Sequence, residues 1–501
     1  METGNVYMGR VLVVDLDGAT CEEEALEETL ITERIGGVAV NLSLYRRFQD
    51  RDPVVIGTGL LTGSFAPAGC GGVITARSPR NGRVCHVPLT WHTAVELKFS
   101  GYDFVVILGA SKKPVRLWLH DELAELADAG KVWGKDVWET TDGLRFEHGD
   151  EYVQVLTIGP AGEKGHGIAQ VSENYWGSKD IFGFGGLLGK KQLKAVAMRG
   201  LGSLDIAEGF FDACLALKEN IRTRGFGGRQ GMVSILEALG ADPGGLEALK
   251  GQVHRDAASF NCMYPYNSFV MIDDDPRLLK ETDVEEPGVL LTDVAGPAAL
   301  LFLKDAMARV MRRANRLGLD PFACGRILEK HGVTEAARAE EELKKIAQEG
   351  ASLADEGIEN VYGVGTWPLS DALEVRLVQA LSVFSHAVPP VPVFNGYEAY
   401  SASADPVDRA RWWIDVQGAA YILGICPLSV VLSPELSIDQ MAELGAAASD
   451  FDGLSGERVR AEAKWCVAES RSLSTPSGDL PASWRTGEFE QALKALSESL
   501  S

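Results

Sequence analysis

FVVILGAS (104–111), a β-branched run that ends at Gly109 and Ser111, is the stretch that decides the fold of the first part of this chain. A short, continuous apolar run bounded by turn residues is how a strand buried on both faces reads. Its neighbours repeat the pattern. VLVVDLD (11–17), PVVIGTG (53–59), PVRLWLH (114–120) and YVQVLTIG (152–159) are short β-branched segments bounded by Gly, Asp or Pro. This spacing predicts a sheet-based domain over residues 1–203, with long connections and few helices.

Past Gly202 the apolar period changes from two to 3.6. IAEGFFDACLALKENI (206–221) predicts a helix. Between Ala298 and Asn315, the side chains Leu303, Met307, Val310, Met311 and Ala314 make one apolar stripe, and Gly318 supplies a stop. TEAARAEEELKKIAQ (334–348) reads as a charged, solvated helix. SIDQMAELGAAA (437–448) opens on a Ser cap, and 456–471 and 487–500 are also helical in pattern. The expected class is α+β. An N-terminal sheet domain (1–203) is followed by a helical middle domain (204–320) and a helical C-terminal domain (321–501). A chain of 501 residues is too long for one compact core, which agrees with several domains.

The formal charge is −23, from 71 acidic and 48 basic residues. That balance argues against a nucleic-acid surface, which needs a basic stripe. It suits a chain that repels phosphates and membranes or meets a basic partner. No apolar run is long enough to span a bilayer and no secretory signal is evident, so the expected location is cytoplasmic. The eight cysteines (21, 70, 85, 214, 262, 324, 426 and 466) include no CxxC pair. Metal–sulfur sites usually draw two ligands from one tight turn, so spacing alone argues for buried small hydrophobes.

GFGGLLGKKQLK (183–194) has the look of a phosphate loop, with glycines that expose N–H groups and Lys190, Lys191 and Lys194 for charge. It is not a Walker A loop, because Phe184 stands at the first glycine position and Lys191 replaces Ser/Thr. Nor is it GxGxxG, since Leu188 takes the last glycine position. A tight turn into the strand QLKAVAMRG has at least equal standing. His386, in ALSVFSHAVPP, sits in an apolar setting that favours a core histidine over a base. Trp412 and Trp413 read as core.

The order of short motifs resembles the tungsten-pterin aldehyde:ferredoxin oxidoreductase family. The strings that carry the likeness are IGGVAVN (35–41), GTGLLTGSFAP (57–67), TARSP (75–79), ELKFSGYDFVVILGAS (96–111), KPVRLW (113–118), VWGKDVWET (132–140), TIGPAGE (157–163) and GLLGKKQLKAVAMRG (186–200). NRLGLD (315–320) and LGIC (423–426) are similar to the family's two DxxGL(D/C) motifs. The likeness is collinear up to residue 200; beyond it the match is patchy, and the chain is shortened relative to the family.

The resemblance implies two molybdopterins around one tungsten, a neighbouring [4Fe–4S] cluster, and oxidation of aldehydes to carboxylic acids with electrons passed to ferredoxin. It also implies a two-sheet base for the pterins, largely helical further domains, and dimers. Carried over residue by residue, the ligands fail. The family's CxxCPxxC becomes NCMYPYNS, anchored on Pro265, so Asn261, Tyr264 and Ser268 stand at thiolate positions and Cys262 is one residue out of register. Cys426 alone matches a cluster ligand, and one thiolate cannot hold a four-iron cube. Gly71 and Ile181 stand where the family has arginines, Pro88 and Trp91 where it has an Asn-bearing glycine stretch, and Tyr421 where it has Asp. The expected catalytic Glu has no clear match in VEEPGVLLTDVAGP (284–297), and His386 is the one candidate for the active-site His.

Scaffold motifs persist while ligand motifs do not. The expectation is a pseudoenzyme: a non-catalytic structural or partner subunit, paired with an active oxidoreductase relative or with itself, with no cofactor and no cluster. One alternative is a cluster-free tungsten- or molybdenum-bis-pterin oxidoreductase held by Lys190, Lys191, Lys194, Asn315 and Asp320. Another is a small-molecule binding protein that uses the old pterin cleft.

Overall fold

The computed structural model describes residues 6–224, 231–272, 288–449, 451 and 453–500. Six strands form the first sheet: β1 (Arg10–Asp15), β2 (Thr20–Ala25), β3 (Val54–Thr58), β4 (Gly72–Arg77), β5 (Val84–Leu89) and β6 (Phe104–Leu108), in the order β2-β1-β6-β3-β4-β5. The run that decided the sequence reading is the buried β6, parallel to β1 and antiparallel to β3. Its neighbour β2 reads TCEEEA and is half exposed; Glu22, Glu23 and Glu24 charge an edge that would otherwise invite further pairing. A second sheet has the order β10-β9-β11-β7-β8, from β7 (Val115–His120), β8 (Leu123–Asp128), β9 (Gln154–Ile158), β10 (Val171–Glu173) and β11 (Leu193–Arg199).

Helices are more frequent in this domain than expected. IGGVAVN opens the buried helix Gly37–Arg47 on the first sheet, and VWGKDVWET leads into Val137–His148, which starts with an Asp136/Glu139 capping box. Phe184–Lys190, read as a turn, is also helical.

The rest is mostly helical, with two differences from the periodic reading. A three-stranded sheet, β12 (Val253–Ala257), β13 (Asn267–Met271) and β14 (Gly288–Leu291), lies within the middle segment. The stripe at 298–315 does not lie on one straight helix. Ala295–Leu300 and Met307–Leu317 are separated by a 3-10 turn with Lys304 at φ 50°. Ala295–Leu300 packs on Pro321–Lys330, whereas Met307–Leu317 packs on Ala336–Glu349 and β14. Serving both surfaces requires the break. Ser437 caps Ile438–Ala448 through the Gln440 N–H, as its position predicted. Among the described residues, no helix is long and apolar enough to cross a membrane.

The helix Pro406–Leu423 runs through the core and buries Trp413, whose indole donates to Pro389 O at 2.7 Å. Its end docks onto the glycine loops of the first domain. Leu61 N–H donates to Leu423 O at 2.7 Å, Gly71 N–H to Gly424 O at 2.8 Å, and Cys426 N–H to Ala68 O at 2.9 Å. A Cβ on Gly59 would overlap the Gly424 backbone, and one on Gly71 would lie 2.7 Å from Gly424 C and Ile425 O. These glycines are therefore required by close backbone approach.

Gly59→Ala should lower stability by about 2–3 kcal/mol, through overpacking at a backbone that cannot step aside. A drop in the denaturation midpoint measures it, and an unchanged midpoint would show that the seam is not tight.

Candidate functional site

Asn261, Tyr264 and Ser268, the positions the resemblance aligned with cluster ligands, are each committed elsewhere. Asn261, at φ 52°, donates to Ala66 O at 2.9 Å and accepts from Lys218 Nζ at 2.7 Å. Ser268 lies on β13, where its hydroxyl donates to Asp256 at 2.6 Å and accepts from Met232 N–H. Tyr264 is buried, and its N–H donates to Cys262 Sγ at 3.4 Å.

Three thiols nevertheless meet here. Cys262 Sγ lies 3.2 Å from Ser429 Oγ, and Tyr266 Oη lies 3.1 Å from Cys426 Sγ and 2.6 Å from Ser259 Oγ. Cys70 Sγ reaches Thr90 O at 3.5 Å, and the N–H groups of Cys70 and Cys426 both donate to Ala68 O, at 2.8 and 2.9 Å. Burial works against the Cys426 thiolate, but neighbouring Cys70, the Lys179 charge and the Tyr266 hydroxyl hold its pKa below the ordinary thiol value. The proximity of Cys426, with burial, pushes the Cys70 thiol up.

Sequence reasoning found one thiol near Pro265 and missed Cys70, which arrives from a distant loop. A four-iron cube takes four thiolates. Three thiols with a tyrosine hydroxyl among them do not fit it. Among the described residues, no group of three or more His, Cys, Asp or Glu is arranged to hold a metal ion.

The glycine-rich loop carries an occupant of its own. Asp180 is buried, and its carboxylate accepts five backbone N–H groups: Val171 and Phe182 at 3.0 Å, Gly183 at 3.0 Å, Phe184 at 3.2 Å and Gly185 at 3.1 Å. Burial pushes this carboxyl up in pKa while the N–H donors and Arg80 pull it back. The amides that would cradle a phosphate thus hold a side chain of the chain itself.

The lysines do not converge on this loop either. Lys190 is exposed. Lys191 Nζ donates to Asp52 O and Gly109 O, both at 3.1 Å. Lys194 Nζ is buried against Glu163, Lys135 O and Ile158 O. Gly71 is fixed in the seam, Ile181 is buried, and Pro88 sits in β5 opposite Val73. The residues present do not match a set that grips pterin phosphates.

Asn315 and Asp320 lie together on a buried polar floor. Asp320 pairs with Arg80 at 3.0 Å and caps Pro321–Lys330 through the Phe322 N–H. Gln170 donates to Asn315 Oδ1 at 3.3 Å and Leu319 O at 2.8 Å. Lys179 donates to Thr90 Oγ1 at 2.8 Å and Thr292 O at 2.7 Å. Asp293, buried nearby, is raised to about 6 by desolvation. His386 is buried, with Nε2 3.4 Å from Gly365 O, and desolvation takes it down to about 4. Of the expected catalytic segment, Val284 to Pro287 lie outside the described residues.

Residues 11–200 match the family model "Aldehyde ferredoxin oxidoreductase, N-terminal domain". Over that domain the chain is similar to the aldehyde ferredoxin oxidoreductase family, and divergent from it. The tungsten-containing aldehyde ferredoxin oxidoreductase of Pyrococcus abyssi is 35% identical over 212 residues, covering 40% of this chain and 35% of that protein. The aliphatic sulfonate oxidoreductase, WOR-like subunit, of Pyrococcus furiosus is 29% identical over 221 residues, covering 40% and 35%. The match thus spans about a third of the length of these relatives. The active-site complex BamBC of benzoyl coenzyme A reductase, solved with 1,5-dienoyl-CoA, has a chain that superposes with a TM-score of 0.76. That likeness covers 99% of this chain and 95% of the other at 17% identity, and it concerns the fold alone.

Asp180→Ala should leave five N–H groups without an acceptor and cost about 3 kcal/mol or more. Phosphate, but not chloride, should then restore part of the lost thermal stability. A variant as stable as the parent, or one blind to phosphate, would show that the nest is not an anion cradle.

Proposed function

We propose that this chain is a non-catalytic structural or partner subunit of a redox complex built on the aldehyde ferredoxin oxidoreductase scaffold. The observation that carries this reading is the Tyr266 hydroxyl set among three thiols, with Asn261 and Ser268 hydrogen-bonded elsewhere. Asp180 in the glycine turn supports it, because a phosphate would have to expel a buried carboxylate. Exposed apolar side chains support a docking surface for that partner. Exposed Phe65 stacks on Phe211 at 4.6 Å, and Leu215 lies one helical turn further along the same helix. Apolar patches of this kind mark interaction sites. The WOR-like subunit among the relatives and the BamBC complex are consistent with assembly.

Affinity purification from the native source should recover a second oxidoreductase chain in fixed ratio, and Phe211→Asp should reduce its recovery. Recovery of this chain alone, with aldehyde-oxidising activity and one equivalent of tungsten or molybdenum, would overturn the proposal.

A second reading, a small-molecule binder in the old cleft, is favoured by two buried donors without a hydrogen-bond partner, Arg80 Nη1 and Asn315 Nδ2. A buried unpaired donor is costly and invites an acceptor. Native mass spectrometry of gently purified protein should then show an added mass that Arg80→Gln loses. A bare-chain mass ends this reading.

A further inference from the structure

We propose that the surface cleft walled by Phe65, Phe99, Leu204, Ile206 and Phe260 binds a medium-chain fatty carboxylate, with its alkyl chain along the apolar wall and its headgroup on Lys218. The cleft has a volume of about 570 Å³. Small-molecule sites span roughly 300–1,000 Å³. Three distant stretches of chain build it. Gly202 N–H donates to Phe99 O at 2.9 Å and lays residues 202–206 along Phe99. A Cβ on Gly202 would stand 2.7 Å from that oxygen, so the crossing requires glycine. Gly63, at φ 79°, turns the loop that carries Phe65. Asn261 Nδ2 donates to Ala66 O at 2.9 Å and ties the Phe260 stretch to that loop, and His92 backs the Phe260 ring edge-on at 6.0 Å.

The polar end of the cleft is one cation. Lys218 Nζ lies 3.3 Å from the centre of the Phe65 ring and donates to Asn261 Oδ1 at 2.7 Å, and both of those residues line the cleft. Among the described residues no carboxylate pairs with this ammonium. An ammonium has three donors, and Asn261 takes one. Partial burial lowers the Lys218 pKa, as expected of a cation drawn from water without a counter-ion.

An apolar wall that ends in a single uncompensated cation is complementary to a long apolar body with a single negative end. Apart from Asn261 and two serines the lining offers no side-chain hydrogen bond, which disfavours a polar body. A second negative charge on the ligand would find no partner there, which favours a carboxylate over a phosphate ester. The site needs no second chain and does not involve Arg80 or Asn315, so it stands apart from both readings above, although it shares Phe65 with the docking surface.

Calorimetric titration of the full chain with hexanoate, octanoate and decanoate, each below its micelle-forming concentration, tests the proposal. Affinity should rise about two- to fourfold with each added methylene, as burial of CH₂ groups predicts. Octylamine should not bind. Lys218→Met should weaken decanoate roughly tenfold, the loss expected for a charge-assisted hydrogen bond, and Lys218→Glu should admit decylamine in its place. Leu204→Trp places a fluorophore in the wall, and its emission should shift to the blue when decanoate is added. Circular dichroism checks that each variant is folded. No binding of decanoate at millimolar concentration, an affinity independent of chain length, equal binding of octylamine, or decanoate binding unchanged in Lys218→Met would overturn the proposal.

Discussion

The backbone contact between the end of Pro406–Leu423 and the glycine loops of the first domain is the constraint on which the other features rest. Three backbone hydrogen bonds cross it, and they are possible because Gly59, Gly71 and Gly424 carry no side chain. Two separately patterned halves are thereby held as one packed core. The same contact carries Cys426 to Cys70 and sets the floor against which Tyr266 closes. A shift of a few tenths of an ångström would be felt at all of these places, since close-packed interiors do not deform continuously.

A second regularity is that most groups suited to gripping an anion are engaged from within, Arg80 Nη1 and Asn315 Nδ2 excepted. Asp180 fills the amide nest, Asp320 takes Arg80, Glu163 takes Lys194, and carbonyl oxygens take Lys191. Buried charge is tolerated only when paired and hydrogen-bonded, so displacing any of these partners would leave an uncompensated group. In this chain these polar groups serve the stability of the fold itself.

Much of the architecture was legible. β-branched runs bounded by glycine gave β1, β3, β6, β7 and β9, and Ser437 marked the start of its helix. The acidic strand β2 was hidden because its side chains face solvent at a sheet edge and carry no apolar signal. The break at Lys304 was hidden because one apolar stripe cannot reveal that its two ends meet different neighbours. At the site, Asp180 could have been found, since an Asp just ahead of a glycine-rich turn is the usual side chain to accept that turn's N–H groups. The placement of His386 in an apolar, buried setting agrees with the character of its flanking residues.

The sequence by itself determined the α+β class and the family likeness of the first domain. These depend on residue type and local spacing, which are written along the chain. The tertiary structure alone decided that Cys70 and Cys426, from distant segments, lie side by side, that Asp180 rather than a phosphate sits in the glycine nest, and that Lys191 and Lys194 point into separate internal sites. Such facts are set by close packing between segments far apart in sequence, and that proximity has no periodic signature in the chain that creates it.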